Sequence, residues 1–389
     1  MKISSLKTFV VDAYRANYVF VKLGTDDGIY GVGEGTLEMK ELTVATAIER
    51  LGDYLIGKNP FQVDHHVEMM NRDSYWRSGP VLRSAVAAVE AAMLDIKGKA
   101  LGVPVYELLG GAHRDRIRCY ANGWFTGAKT ADEFAQKAKV AVEAGFLGLK
   151  WDPFGSHYLT MSRAERLACI EIVEAVRSAV GPGIDLMIEG HGRFDVPTAI
   201  DVARDIAPFG ITWFEEPIPP ENIGAVAEVR SKSPVAIATG ERYFDPGRFT
   251  ELLDQGAADY IQPDISHVGG ILEAKKIASI AQARYIPICP HNPIGPIANA
   301  MTLHLAASTG NFSWLETMFT DVPWRKEVVR ESVSFKDGMM SIPTAPGLGV
   351  DIDEEACGKY PYKPYELRHY RGTLTNIRPE GAVAFYQQS

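Results

Sequence analysis

Ile184-Asp185-Leu186-Met187-Ile188-Glu189, Ile211-Thr212-Trp213-Phe214-Glu215 and Val235-Ala236-Ile237-Ala238-Thr239-Gly240-Glu241 are three short apolar runs, each closed by a carboxylate. A helix-length segment lies between the first and second, and another between the second and third. Apolar runs that alternate with amphipathic segments read as parallel βα units, whose strands are buried on both faces. Acids at the C-terminal ends of successive parallel strands converge on one face of the sheet. Three carboxylates gathered there repel one another, so at least one must take a proton or a cation must sit among them. A hard divalent ion held by oxygens is the simplest answer, and Mg2+ is the usual one.

The same rhythm extends on both sides of this stretch. Strand candidates are 117–121, 146–151, 184–189, 211–215, 235–239, 260–262, 286–290 and 312–315, with helical segments such as 131–144, 164–180, 197–206 and 271–283 between them. Strand starts recur every roughly 24 to 38 residues. Eight βα repeats over about 200 residues predict an α/β fold, a (β/α)8-type barrel. The last helix is weak, which leaves two forms for the end of the barrel: imperfect closure, or another final element.

Upstream, 18–23 and 29–34 flank the turn Thr25-Asp26-Asp27-Gly28 and predict an antiparallel hairpin. Gly31, Gly33 and Gly35 are spaced GxGxG, not GxGxxG, and no βα unit with an acidic ribose partner follows, so a nucleotide loop is not read there. Helices are predicted over 44–55, 61–71 and 81–99; Gly102-Val103-Pro104 breaks the third and leads into 105–109, capped by Gly110-Gly111. Strands followed by helices make a small α+β unit. Downstream, the βα rhythm stops near Pro323, and 343–353 reads as a loop and strand returning to the N-terminal unit. The tail after Lys359 is aromatic and charged without periodicity. The expected division is 1–116, 117–325 and 326–389.

Composition bounds the function. A chain of 389 residues holds one large domain and a smaller one, and 46% hydrophobic with 23% charged residues is a soluble globular balance. A net charge of −9 argues against nucleic acid as a partner. The four cysteines form no CxxC pair, and Cys119 and Cys289 fall in predicted strands as buried free thiols. No run approaches a membrane span and no signal peptide opens the chain, so the expected compartment is the cytoplasm.

Barrel chemistry sits at the C-terminal ends of the strands. Those positions hold Lys150 and Asp152, Glu189 and His191, Glu215 and Glu216, Glu241, Asp264, His291 and Glu316. A lone acid beside a strand end is ordinarily a helix cap, and a lone His ordinarily scaffold. Seven strands presenting such a group at one end of one barrel is not the pattern of caps. Three acids on adjacent strands suit Mg2+ with positions left for substrate oxygens. A bound carboxylate would share its negative charge with the metal and Lys150, lowering the cost of an enediolate when the α-proton leaves. His191 and His291 come from different strands and so could address opposite faces of a substrate. Asp264, one strand earlier, could fix the tautomer of His291.

These residues resemble the enolase superfamily in its mandelate racemase subgroup. The resemblance rests on Trp213-Phe214-Glu215-Glu216-Pro217, Gly240-Glu241, Gln262-Pro263-Asp264 with Gly269-Gly270, and Pro290-His291, in that order. Tyr120-Ala121-Asn122-Gly123-Trp124, Lys150-Trp151-Asp152-Pro153-Phe154-Gly155, Glu189-Gly190-His191-Gly192-Arg193-Phe194, Tyr75-Trp76-Arg77-Ser78-Gly79-Pro80 and Asp95-Ile96-Lys97-Gly98-Lys99 look like the acid-sugar dehydratases, of the gluconate and galactonate type. The resemblance covers nearly the whole chain and implies an N-terminal α+β capping domain, completed by the C-terminal segment. It implies Glu189, Glu215 and Glu241 as Mg2+ ligands, His291 as base with Asp264 behind it, His191 as the acid for the leaving hydroxyl, and Glu316 on the substrate carboxylate. Its capping loops, 13–18 and 72–78 here, would close over the sugar chain. Two departures stand out. Glu189 occupies a position commonly Asp, and Asp152 stands where many members have a second Lys as base, which disfavours a two-base racemase.

The resulting expectation is a Mg2+-dependent hydro-lyase that converts a sugar acid to a 2-keto-3-deoxy acid. Lys150 and Asp152 are expected near the substrate, Asp152 either paired with Lys150 or turned to the hydroxyls. The alternative is a racemase, epimerase or cycloisomerase starting from the same enediolate; His191, placed as an acid, favours the dehydratase. Hydrolysis by a His-ligated metal would need an HxH pair on the first strand, where Asn122-Gly123-Trp124 stands. The expected partner is a small sugar acid, with self-association into a homo-oligomer.

Overall fold

The computed structural model describes residues 1–73, 75–365 and 381–384. It opens with an antiparallel meander, β1 (Ile3–Asp12), β2 (Asn17–Thr25) and β3 (Tyr30–Glu34), with Asp26-Asp27-Gly28 at the β2–β3 turn. Helices α1 (Glu41–Leu55), α2 (Val63–Asp73), α3 (Pro80–Leu101) and the single turn α4 (Val105–Leu108) follow. α3 runs through the middle of the molecule and is buried on nearly every face from Ser84 to Ile96. Its alanines allow this, and so do the β3 glycines. A Cβ at Gly31, Gly33 or Gly35 would collide with the carbonyl oxygens of Ala92, Ala88 and Ser84 respectively. The GxGxG spacing is therefore a strand–helix contact, in which alternate residues of β3 meet successive turns of α3.

The barrel follows as β4 (Arg116–Asn122), α5 (Ala131–Glu143), β5 (Gly148–Trp151), α6 (Arg163–Val180), β6 (Asp185–Glu189), α7 (Val196–Ile206), β7 (Ile211–Glu215), α8 (Ile223–Lys232), β8 (Ile237–Thr239), α9 (Pro246–Asp254), β9 (Tyr260–Ile261), α10 (Ile271–Gln282), α11 (Pro296–Ser308), β10 (Leu315–Met318) and α12 (Arg325–Val328). Neighbouring strands from β4 to β9 pair in parallel, and β10 closes the barrel on β4 with Glu316 opposite Tyr120.

Two of the expected strands differ. Residues 286–290 form no strand, only bridges from Ile288 to Ile261 and to Phe312. Pro287 and Pro290 carry no N–H, and Ile286 donates back to Ala281 at the end of α10, so only Ile288 and Cys289 donate toward the neighbouring strand positions, to Asn311 and Ile261, each at 2.9 Å. The eighth strand begins at Leu315 and not at Phe312, so Glu316 projects from within it. The barrel is closed, and its final helix is one turn.

Inside the barrel, Tyr120, Met187, Trp213, Ala238, Cys289 and Trp314 form a packed layer contributed by different strand positions. All four cysteines are free and buried. The chain then makes β11 (Val329–Glu331), the hairpin β12 (Phe335–Lys336) and β13 (Met339–Ser341) against β4, β14 (Val350–Ile352) paired with β11, and α13 (Glu354–Lys359). This segment returns to the N-terminal unit. Leu348 N donates to Asp95 of α3 at 2.8 Å, Tyr30 Oη to Asp351 at 2.7 Å, and Lys7 and Lys22 both pair with Glu354. Most of the tail after Lys359, 366–380 and 385–389, lies outside the described residues. Among the described residues no helix is long and apolar enough to cross a membrane.

The N-terminal unit also grips the barrel through two buried carboxylates. Glu34 accepts from Ile297 N (3.0 Å) and Ala298 N (2.9 Å), and Glu90 from Ile271 N (3.2 Å) and Leu272 N (2.8 Å). Each thus satisfies orphan donors at the first turn of a barrel helix, α11 and α10.

Candidate active site

Glu189 ends β6, Glu215 ends β7, and Glu241 lies two residues beyond β8. One carboxylate oxygen from each lies within 4.8 Å of one from each of the others. Lys150, wholly buried on β5, places Nζ 2.5 Å from Glu215 Oε1, 3.0 Å from Glu316 Oε1 and 3.4 Å from Glu189 Oε2. The other oxygen of Glu215 accepts from Trp213 Nε1 (2.9 Å) and Gln262 Nε2 (2.6 Å), which ties the site to the aromatic layer beneath it. Glu316 accepts from Asn122 Nδ2 (2.7 Å) and Asn292 N (3.0 Å).

The electrostatics follow from burial. Burial and the neighbouring Glu189 push Glu215 well above the usual carboxylate range. Burial first, opposed by Lys150 and aided by Glu241, raises Glu189 to about 7. Burial works against the Lys150 ammonium, yet Glu215 and Glu316 outweigh it and hold that charge in place. Burial also opposes the charge of Glu241, but His291, Lys150 and Arg242 keep its carboxyl below the usual range. Glu189 Oε2 is buried without a hydrogen bond, with only the Lys150 ammonium 3.4 Å away. An all-oxygen trio with one such under-satisfied oxygen, and two members lifted by burial and mutual repulsion, fits a hard divalent cation.

Two histidines stand at the third and seventh of the eight strand positions, on opposite sides of the barrel mouth. His291 Nδ1 lies 2.7 Å from Asp264 Oδ2, and its Nε2 lies 3.4 Å from Glu241. Burial lowers the basicity of His291, but Glu241, Glu316 and Asp264 more than reverse this and bring it to about 10. Asp264 also accepts from Ser266 N at 2.8 Å and faces His267 Nε2 at 3.5 Å, while His267 Nδ1 meets Ser84 of α3 at 3.1 Å. His191 follows β6 in a left-handed turn, φ 49°, with its N–H on Glu189 Oε1 at 2.6 Å. Its Nδ1 lies 2.7 Å from Asp152 Oδ2.

That last contact corrects the expectation for Asp152. It pairs with His191 and with the fully buried Arg193, and its other oxygen accepts from Phe154 N at 2.9 Å. The Lys150 ammonium is instead shared by Glu189, Glu215 and Glu316. Glu216 points to a different task, accepting from Arg242 Nε at 2.8 Å beside the trio. The sequence reading gave no role to Asn122, Gln262, Asn292, His267 or Arg193. Asn122 and Gln262 occupy the same strand-end positions as the acids, and a scan for ionisable groups passes over amides.

Fold and site define a barrel enzyme whose mouth gathers a carboxylate trio able to hold a cation between two carboxylate-backed histidines. The chain belongs to the mandelate racemase/muconate lactonizing enzyme family of the enolase superfamily. The N-terminal domain profile of that family matches residues 3–110, and the "Enolase C-terminal domain-like" profile matches 133–356. The chain is 33% identical to the D-gluconate dehydratase of Thermoproteus tenax over 92% of its own length and 72% of that protein. It is 37% identical to the D-galactonate dehydratase of Ralstonia pickettii (strain 12J), over 91% and 93%. A solved enolase from Agrobacterium radiobacter, with sodium and L-malate bound, superposes with a TM-score of 0.88 at 30% identity, covering 95% of this chain and 97% of that one.

Proposed function

We propose that the chain is a Mg2+-dependent hydro-lyase that dehydrates an aldonate, gluconate or galactonate, to the 2-keto-3-deoxy acid. The observation that carries this reading is the pair of carboxylate-backed histidines on opposite sides of the mouth, because a dehydration needs one base at C2 and one acid at the C3 hydroxyl. Glu189, Glu215 and Glu241 would hold Mg2+, which when bound supplies positive charge to the substrate carboxylate. Lys150 adds a second positive charge from the side of β5, and Glu316, when it carries a proton, would donate a hydrogen bond to that carboxylate as charge develops on it.

In its neutral form, with the Nδ1 proton held by Asp264, His291 takes the C2 proton on Nε2. The electron pair left at C2 then forms the C2–C3 double bond as the C3–O bond breaks. His191 gives its Nε2 proton to the departing oxygen, and water leaves. The enol product gains a proton at C3 to become the 2-keto-3-deoxy acid, with no further reactant. With Asp152 engaged by His191 and Arg193, no Lys stands at the second-strand position as an opposing C2 base, which favours elimination over epimerisation.

In this reading 1–116 is the capping unit, 117–325 the catalytic barrel, and 326–389 the segment that returns to the cap. Four free cysteines fit a reducing cytoplasm, and assembly is as a homo-oligomer. The substrates in the relatives' names guide the assay. With Mg2+ present, D-gluconate and D-galactonate are offered beside a panel of hexonates, pentonates and hexarates, and 2-keto acid is measured. Turnover of an aldonate bears the reading out; a panel without 2-keto acid overturns it.

A further inference from the structure

Asp152 belongs to a built platform beneath His191. Its side chain is 1% exposed and both oxygens are engaged. Arg193 is 0% exposed and turns its guanidinium into the protein. Nε donates to Gly190 O (2.9 Å), Nη1 to Gly155 O (2.9 Å) and His157 O (3.3 Å), and Nη2 to Asp152. Gly155 and His157 lie in the loop after β5, Gly190 in the loop after β6. The two loops are joined again by Leu159 N on Arg193 O (2.9 Å), Asp195 N on Leu159 O (2.8 Å), and Phe154 edge-on to Phe194 with centroids 5.0 Å apart. A buried guanidinium in a fixed fork spends its donors on three carbonyls and one carboxylate, so the carboxylate cannot turn.

We infer that Asp152, locked by Arg193, is the positioning residue of His191. It accepts the Nδ1 proton, so Nε2 is the nitrogen that serves the leaving hydroxyl. The inference rests on the dehydratase reading above. An imidazole that has given up its Nε2 proton keeps the other on Nδ1, so the same Asp152 contact fits His191 before and after the transfer. The left-handed turn at His191 fixes where the ring starts, and Asp152 fixes its rotation. The site thus holds two histidine–aspartate pairs, each at 2.7 Å, one for each proton of the reaction.

The test is Asp152→Asn, which preserves shape and removes the charge. Dehydration of D-gluconate or D-galactonate, whichever the parent turns over, and loss of the C2 proton to heavy water are measured side by side. The expected result is a kcat for dehydration lower by about 10²-fold or more, a KM within a few-fold of the parent, and C2 exchange retained. Unchanged kcat with a raised KM would make Asp152 a substrate ligand and overturn the inference. Equal loss of exchange and dehydration would do so too. Should the variant fail to fold, 15N-histidine NMR of the parent decides: neutral His191 is expected with its proton on Nδ1, and the Nε2–H tautomer overturns the inference. A parent that neither dehydrates nor exchanges defeats the functional reading alone, since the tautomer is still read.

Discussion

Lys150 sits wholly buried against Glu189, Glu215 and Glu316, and this one ammonium explains much of the site's charge arrangement. It cannot neutralise a trio that also includes Glu241, which is why burial and mutual repulsion lift Glu189 and Glu215. A divalent cation answers that imbalance. Glu215→Gln removes one formal charge while keeping the shape, and Mg2+ affinity measured by calorimetry should fall by about 10-fold or more. An affinity equal to the parent's would take Glu215 out of the ligand set. At this scale the sequence showed which ionisable residues stand at strand ends, because an apolar run followed by an acid is a local pattern. It did not show partners. Asp152 and His191 are 39 residues apart, and Lys150 and Glu215 are 65 apart. Arg193, which reads as an ordinary loop residue, is buried only because three carbonyls and Asp152 converge on it.

Helices α10 and α11 start on carboxylates supplied by another part of the chain, Glu90 from α3 and Glu34 from β3. Burial raises Glu90 from 4.5 to about 8, against the pull of the Leu272 and Ile271 N–H groups. The sign follows directly. A carboxyl whose folded value is raised binds its proton more tightly in the folded state, so its contribution is full below about 4.5 and is lost as pH rises through about 8. Glu90→Gln is neutral throughout and keeps one acceptor. Its thermal midpoint should therefore depend less on pH between 5 and 8 than the parent's; an identical pH profile would show that Glu90 does not titrate in that window. Elements themselves were legible where periodicity was strong, as in α3 and β6. They failed at 286–290, where two prolines leave only Ile288 and Cys289 to donate across to the neighbouring strand positions, and at β10, whose start is set by its register on β4.

The cap and the returning C-terminal segment meet at Asp95. One oxygen accepts from Val32 N (2.9 Å) and Lys99 Nζ (2.6 Å), the other from Leu348 N (2.8 Å), so one buried carboxylate ties β3, α3 and the return. Asp95→Ala would strand two backbone N–H groups and a lysine, a loss of about 3–5 kcal/mol. Urea unfolding should show it as a lower midpoint; a change under about 0.5 kcal/mol, the range of an ordinary surface substitution, would contradict that role. The barrel could be read from eight repeats, but the way the cap seats on it could not. That seating depends on Glu34, Glu90 and Ser84 meeting residues 181 or more positions away. The central claim joins all three scales: His291 takes the C2 proton, and His191, across the mouth, releases the hydroxyl. Incubating the aldonate that the parent dehydrates with His291→Asn and His191→Asn in heavy water, with Mg2+, tests it most directly by NMR. The account predicts that His291→Asn loses both C2 exchange and 2-keto product, while His191→Asn loses product and keeps exchange. Exchange surviving in His291→Asn and vanishing in His191→Asn, or a C2 epimer accumulating with the parent as fast as the 2-keto acid, would contradict it.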